Sequence, residues 1–422
     1  MTERLYYTDS LLTHFNAAVT DVQEFSRSNG QSIWRIALDR TAFYPTSGGQ
    51  PFDMGHLIAT ARSGAELAAE IVNVEEDATG QVWHHTAKPL QAGTSVRGEV
   101  DWQRRQDHMQ QHSGQHLLSA AFVENCEAAT VSFHLGEETS TIDLDIEHLS
   151  TEALLAVQER ANQIIAEDRP VNIASVSQEQ AAAWLASGVL RKLPARDGDI
   201  RIITITDFDR NACGGTHVRT TGQIGGLHLR NMEKVRQGVR VEFVCGLRAM
   251  RMSRRDFETL TAAGKALSVS TPEIPEAIAR LQTQNKQAGK ERAALLDRIA
   301  GYQVAELLRE HPRENNPRYI RLTLAPPDAP DTAFVKMLAS KIAASSSQTI
   351  ALLAWQPAAN PEEPATVIFS CSKDVALDCG ALLRQAVTAH GGRGGGSKDM
   401  AQGSVAPSAL ADVLETLAAS TG

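Results

Sequence analysis

Apolar and polar positions alternate every second residue through much of the first hundred positions. Ser32-Ile33-Trp34-Arg35-Ile36-Ala37-Leu38 reads as a strand, and so do the turn-bounded runs 55–60, 70–74 and 81–84. A barrel-like or sandwich β domain is expected over 1–100. Between the first two strands, Phe43-Tyr44-Pro45-Thr46-Ser47-Gly48-Gly49-Gln50-Pro51-Phe52 combines two prolines and a glycine pair with flanking aromatics. The first forbid regular structure and the second are rare on free surface loops, so a packed loop lying over something is expected.

After Trp102 the period changes to that of a helix, with His108, His112 and His116 in line with Leu117, Leu118, Ala120 and Ala121. Residues 141–146 alternate as a strand, and Ser150 is placed as the N-cap of a helix reaching about Glu167. Further strands at 200–205 and 238–244 make 101–255 one α+β domain. From Pro272, Ile274, Leu281, Ala288, Leu295 and Tyr302 recur at seven-residue steps, with Ile278, Asn285, Arg292 and Ile299 as a second seam. Half of that second seam is polar, which points to a helical spacer over 256–312 rather than a strong coiled coil. Beyond Pro317 the order strand, helix, strand, strand, helix announces a small α/β domain over 313–422, closing on the glycine-rich run Gly391–Lys398. The expected fold class is α+β multidomain.

The 422 residues suit two to four such domains. No apolar run reaches 18 residues, so a membrane span is not expected, and the N-terminus lacks the pattern of a secretory signal. Five cysteines, an odd and sparse set, fit a reducing compartment such as the cytoplasm. The net charge, 41 - 50 = -9, argues against a nucleic-acid partner at first sight. Yet Arg230 to Arg255 holds eight basic residues against two acids, a local +6 that leaves -15 for the remainder. Taken alone, such a window reads as a solvated face with distant acidic partners.

Two histidines at i and i+4, His112 and His116, share one helix face, the spacing that one metal ion requires of two ligands. Downstream, Cys213-Gly214-Gly215-Thr216-His217 offers a thiolate and an imidazole around two glycines, a turn that can wrap an ion closely. Together they supply one sulfur and three nitrogens, a set suited to Zn²⁺. His108 extends the stripe as a third helix ligand, an outer-shell group or a solvated side chain, while His84 and His85 have no partner at metal spacing. Four protein ligands ordinarily make a closed structural site, so catalysis would require a loose ligand, expansion to five-coordinate, or an ion that anchors substrate rather than activates water.

These motifs, in order with Val131-Ser132-Phe133-His134, Thr221-Gly222-Gln223-Ile224-Gly225 and the tail Gly391–Gly403, resemble the editing domain of alanyl-tRNA synthetases and the free-standing AlaX-type editing proteins. The tail is similar to the C-terminal domain that the synthetases share with DHH-type phosphoesterases. The resemblance implies a zinc-dependent trans-editing hydrolase that deacylates tRNA for alanine carrying serine or glycine. It implies His112, His116, Cys213 and His217 as zinc ligands and Ser132 and Gln115 as catalytic-site residues, Ser132 sensing the serine hydroxyl. Thr46, Ser47, Gly48, Gly49 and Gln50 would form the loop over the pocket, and Arg251, Arg254, Arg255, Arg393 and Lys398 would contact tRNA. Pairing of two protomers through the C-terminal region is a further expectation.

Only 111 residues precede His112, too few for an amino-acid activation module beside the β domain, so charging of tRNA is not expected. The Asp-His-His motif of the phosphoesterases is missing, and Gly396-Ser397-Lys398 has the wrong order for a P-loop. The rival from another class is a zinc-stabilised tRNA-binding module without activity.

Overall fold

The computed structural model describes residues 1–422 except 29–30, 62, 195–197, 237, 313–316, 357–362 and 422. The expected domain start at 313 lies outside the described residues. Two compact units emerge, Met1–Ala262 and Ala263–Gly422. Among the described residues, no helix is long and apolar enough to cross a membrane.

In the first unit, the strands of the N-terminal seven-stranded sheet are β1 (His14–Ser28), β2 (Gln31–Leu38), β3 (Gly55–Thr60), β4 (Glu66–Ile71), β5 (Asn73–Glu76), β6 (Val82–Thr86) and β7 (Ser95–Val100). They pair in the order β4-β3-β7-β1-β2-β6-β5. The long β1 serves two neighbours: His14–Ala18 pairs with β7, and Val19 onward pairs with β2. Bulges at Val19/Asp21 and Glu24/Ser26 break its period-two alternation, which is why the pattern did not announce this strand. The expected strand 70–74 is interrupted at Val72, between β4 and β5. His84 accepts or donates within the core, Nε2 to Thr41 Oγ1 at 2.8 Å and Nδ1 to Ile36 O at 3.0 Å, a structural role.

The helix α1 (Trp102–Cys126) starts on Asp101, whose side chain accepts from the backbone N–H of Gln103 and Arg104. It is followed by β8 (Thr130–Leu135), β9 (Ser140–Leu144), α2 (Thr151–Ala166), β10 (Val171–Val176), α3 (Gln178–Ala186), β11 (Ile200–Ile205), β12 (Asp209–Ala212), β13 (Leu227–Val235), β14 (Gly238–Cys245) and α4 (Gly246–Leu267). Ser150 caps α2 as expected, accepting from Ala153 N. One sheet runs β8-β9-β14-β13 and another β10-β11-β12. Leu117, Leu118, Ala121 and Phe122 of α1 join Ile142, Val157, Ile164, Val241 and Phe243 in one core.

Although α1 is polar by sequence, it is buried almost continuously from His108 to Phe122. Polar groups inside a protein need partners. Gln111 supplies them as a peptide group would, accepting from Cys245 N at 2.8 Å and donating to Cys245 O at 3.0 Å. Arg105 and Asp53 are both 0% exposed and paired, and Arg105 also donates to Ser10 O at 2.7 Å. Asp53 accepts in addition from Tyr44 N at 2.6 Å, so this pair pins α1 to the segment around the aromatic loop.

The second unit holds α5 (Ile274–Glu310), β15 (Arg318–Leu324), α6 (Thr332–Ser345), β16 (Thr349–Trp355), β17 (Ala365–Cys371), α7 (Cys379–Ala389), β18 (Arg393–Gly396), β19 (Met400–Val405) and α8 (Leu410–Ala419). The sheet order is β15-β16-β17-β19-β18, with β15 and β16 parallel across the α6 crossover. The glycine-rich run at 391–398 contributes the edge strand β18, paired residue by residue with β19. The last helix expected in that order is α7, which begins at Cys379, where Asp378 caps it by accepting from Ala381 N.

Replacing Asp53 with Ala leaves Arg105 charged and alone in the core. A loss of about 3–5 kcal/mol is expected, read from urea denaturation, with Arg105→Met in the same chain recovering part of it.

Candidate metal centre

The side chains of His112, His116, Cys213 and His217 converge, and their donor atoms all lie within 4.8 Å of one another. Helical spacing presents the first two from α1, and the turn after β12 presents the others. Cys213 Sγ stands 3.4 Å from His112 Nε2 and 3.3 Å from His217 Nε2. Zinc bonds of about 2.3 Å to sulfur and 2.0–2.1 Å to nitrogen, at a tetrahedral angle, set a sulfur–nitrogen edge of roughly 3.5 Å. The residues fit such an ion in softness, number and spacing.

What aims these rings is the partner of each second nitrogen. His112 Nδ1 donates to Gln50 Oε1 at 2.8 Å, leaving Nε2 with its lone pair toward the cluster. The same Gln50 oxygen accepts from Thr216 N at 3.0 Å, and Gln50 Nε2 donates to Thr216 Oγ1 at 2.8 Å. His217 Nδ1 meets Ser113 Oγ at 3.1 Å. His116 Nδ1 faces Asn211 Nδ2 at 3.4 Å, with the Asp209 carboxylate 4.0 Å away. Arg201, on β11, donates through Nη1 to the carbonyls of Cys213 and Gly215, both at 2.8 Å, and holds the turn from below. Gly215 is obligatory there, since a Cβ would stand 2.1 Å from His112 Cε1.

Burial, reinforced by the neighbouring His116, holds His112 well below the usual imidazole range, and burial then His112 do the same for His217. Burial brings His116 down to about 3. All three rings are therefore neutral and offer lone pairs. Burial also raises the Cys213 thiol, so an ion must displace its proton. Asp209 is pushed up to about 6 by burial, against the pull of Arg191.

The loop Thr46–Gln50 reaches this centre at one end. Thr46, Ser47, Gly48 and Gly49 are exposed, whereas Gln50 is fully buried. Gly49 packs on Phe133, where a Cβ would lie 2.6 Å from the ring, and the Phe133 ring lies 5.8 Å from that of His112. Ser132 is not brought to the cluster. It is exposed and donates to Asp143 Oδ2 at 2.8 Å, because alternation along β8 turns Phe133 toward His112 and its neighbour to the other face. Gln115 is buried beside His116 in the helix, donating to Ser119 Oγ at 2.8 Å, and its Oε1 has no hydrogen-bond partner among the described residues. His108 is buried, not solvated, and is not part of the cluster.

The basic window is partly neutralised by acids from outside it or at its edge. Arg248 is buried against Asp107, Arg230 pairs with Asp256 and Arg240 with Asp143. Arg251, Arg254 and Arg255 remain exposed on α4, with Arg254 bonded to Glu258 at 2.7 Å. Arg393 and Lys398 are exposed in the second unit. Sequence spacing found the four donors but missed Ser113, Arg201, Asp209 and Asn211. Ser113 adjoins a donor, but neither adjacency nor any spacing marks it as a partner.

Family models match three stretches: threonyl and alanyl tRNA synthetase second additional domain over 200–241, tRNA synthetases class II (A) over 1–104, and DHHA1 domain over 322–421. The alanine–tRNA ligase of Pyrococcus abyssi is 29% identical over 426 residues, covering 96% of this chain and 42% of the ligase. The chain thus spans about two fifths of that relative's length. The alanyl-tRNA editing protein AlaX-M of Methanosarcina acetivorans is 33% identical over 242 residues, covering 55% of this chain and 94% of that protein. Among solved structures, the C-Ala domain of Aquifex aeolicus alanyl-tRNA synthetase aligns with 24% of this chain and 89% of its own, at 17% identity and a TM-score of 0.20.

Gln50→Leu removes the acceptor that fixes the His112 ring. Zinc affinity, measured by chelator competition, is expected to fall about 10–100-fold, as outer-shell losses do, with the fold retained by circular dichroism.

Proposed function

The chain belongs to the AlaX-type family of alanyl-tRNA editing proteins, and from that premise we propose that it deacylates tRNA for alanine wrongly carrying serine or glycine. The oxygen of water adds to the ester carbonyl carbon, the bond from that carbon to the ribose oxygen breaks, and one proton of the water passes to the ribose oxygen, which leaves as the tRNA hydroxyl while the other product is the free amino acid. The observation that carries this reading is the convergence of His112, His116, Cys213 and His217, with Gln50 and Ser113 meeting the second ring nitrogens of His112 and His217. Bound there, zinc supplies Lewis-acid polarisation of the ester and of water.

The chain's own residues do the rest. Neutral imidazoles and the Cys213 sulfur would hold the ion, and Gln50 sets the ring of His112. The exposed Thr46–Gly49 segment is read as the cover of an aminoacyl end, and Gln115 Oε1, without a hydrogen-bond partner among the described residues, is read as an acceptor for a substrate hydroxyl or ammonium. A site that hydrogen-bonds a hydroxyl rejects an analogue lacking it, which separates serine from alanine. Arg251, Arg254 and Arg255 are read as tRNA contacts, with Arg393 and Lys398 beside the glycine strand β18 as a second set. The β sheet of 1–100 is read as barrel-like, and 101–255, 256–312 and 313–422 as editing domain, spacer and C-terminal domain.

One observation favours a second reading. Four convergent donors can close a coordination sphere, which suits a zinc-stabilised tRNA-binding module without activity. Incubating the zinc-loaded protein with seryl-, glycyl- and alanyl-tRNA for alanine separates the two. Loss of the seryl or glycyl ester above the uncatalysed rate is expected, and decay of all three at that rate selects the binding module.

Reversing Arg251, Arg254 and Arg255 to Glu should weaken tRNA binding and flatten its dependence on salt, the loss of each phosphate contact lowering the slope by about 0.9. Unchanged affinity and slope in a filter-binding titration would remove this face from the tRNA surface.

A further inference from the structure

One histidine of α1 is buried without a partner. His108 is 6% exposed, and no group among the described residues meets its Nδ1. Polar atoms inside a protein ordinarily have partners, and an exception beside a candidate site points to a group that arrives from outside. Gln115 Oε1 is a second exception. Residues 108, 112 and 115 stand at steps of four and three on one helix. The two unmet atoms therefore share a face with the metal-facing His112 and flank it, one turn before and one turn after.

The two ends of this face differ in charge. Around Gln115 the neighbours are uncharged hydroxyls: it donates to Ser119 Oγ at 2.8 Å, and Ser119 Oγ meets Thr130 Oγ1 at 2.7 Å. Around His108 the groups are Arg104, Asp53, Asp107 and Arg248. Both acids are already taken, Asp53 by Arg105 and Asp107 by Arg248, with the exposed Arg251 a further 4.0 Å from Asp107. Arg104 donates to the carbonyl of Phe52 at 2.9 Å, and no carboxylate among the described residues pairs with it. A polyanionic chain is therefore favoured at the His108 end, and a small hydroxyl-bearing side chain at the Gln115 end.

We propose that His108 hydrogen-bonds the free hydroxyl of the terminal ribose, the one beside the ester oxygen, and so holds the nucleoside half of the substrate while Gln115 holds the amino-acid half. This contact rests on the deacylase reading and adds to it a residue on the leaving side of the ester. Reach favours the hydroxyl over the base. His108 lies six residues before the midpoint of His112 and His116, about 9 Å of helix rise. An ester carbonyl drawn to the cluster carries the neighbouring hydroxyl to roughly 6 Å from it, and one hydrogen bond of about 2.8 Å spans the remainder, while the base lies farther out. Burial, with Arg104 adding to it, brings the imidazole down to about 4, so the ring is neutral and able to accept from a hydroxyl or donate to one.

The test compares two seryl-tRNAs for alanine, one ending in adenosine and one in 2′-deoxyadenosine, with the uncatalysed decay of each subtracted. In the full, zinc-loaded chain, His108→Leu should lose roughly tenfold in kcat/KM on the ribose substrate, the worth of one hydrogen bond. On the deoxy substrate, where the wild type is already slower by a similar factor, the same variant should lose nothing further. His108→Asn, which returns a polar group near the position of Nδ1, should recover part of the rate on the ribose substrate alone. Zinc content should be unchanged, and the melting temperature of His108→Leu should rise, because an unmet polar atom leaves the interior. Equal losses on both substrates, no loss on either, or a variant that melts lower and holds less zinc overturns the contact. A wild type that hydrolyses neither ester fails the deacylase reading and this contact with it, whereas an active wild type with an indifferent His108→Leu fails the contact alone.

Discussion

One side-chain amide governs the geometry of the candidate centre. Gln50 accepts from His112 and from the backbone of Thr216 with a single oxygen, while its nitrogen donates to the Thr216 hydroxyl. It thereby ties together three segments that are distant in sequence: the glycine loop, helix α1 and the Cys213–His217 turn. Its oxygen also selects the tautomer of His112, because only the Nδ1–H form can donate to it. The position of the loop and the aim of the metal-facing nitrogen are thus the same fact.

A polar helix in the middle of a protein is costly where its groups go unmet, and α1 meets most of them with named partners, Gln115 Oε1 and His108 Nδ1 being exceptions among the described residues. Arg105 has Asp53, Gln111 has the peptide of Cys245, Asp107 has Arg248, and Ser113 has His217. The same burial that demands these partners depresses the imidazoles and raises the thiol, so the cluster without an ion is neutral throughout. A divalent cation enters such a site by exchanging with one proton, that of Cys213.

The four donors were legible because a metal ligand pair has a fixed spacing on a helix or a tight turn. So were the Ser150 cap and the α/β order of the second unit, where propensity, capping and periodicity agree. Other features depend on three dimensions. The strand β1 hides behind two bulges, each of which shifts its alternation by one residue. The same sensitivity misplaced Ser132: a strand has two faces, and a slip of one residue exchanges Ser132 for Phe133. The basic window lost part of its apparent charge to Asp107 and Asp143, acids that no linear count brings near it.

The two halves of the candidate centre are nearly a hundred residues apart, His112 and His116 before and Cys213 and His217 after. An ion gripping both would therefore be a cross-link closing a long loop, and a covalent bridge over such a loop is worth about 4–5 kcal/mol in lost chain entropy. All five cysteines of this chain are free. Whatever a bound cation does for chemistry, its placement would make it a staple of the first unit, restricting the unfolded ensemble of that unit while leaving that of the second untouched.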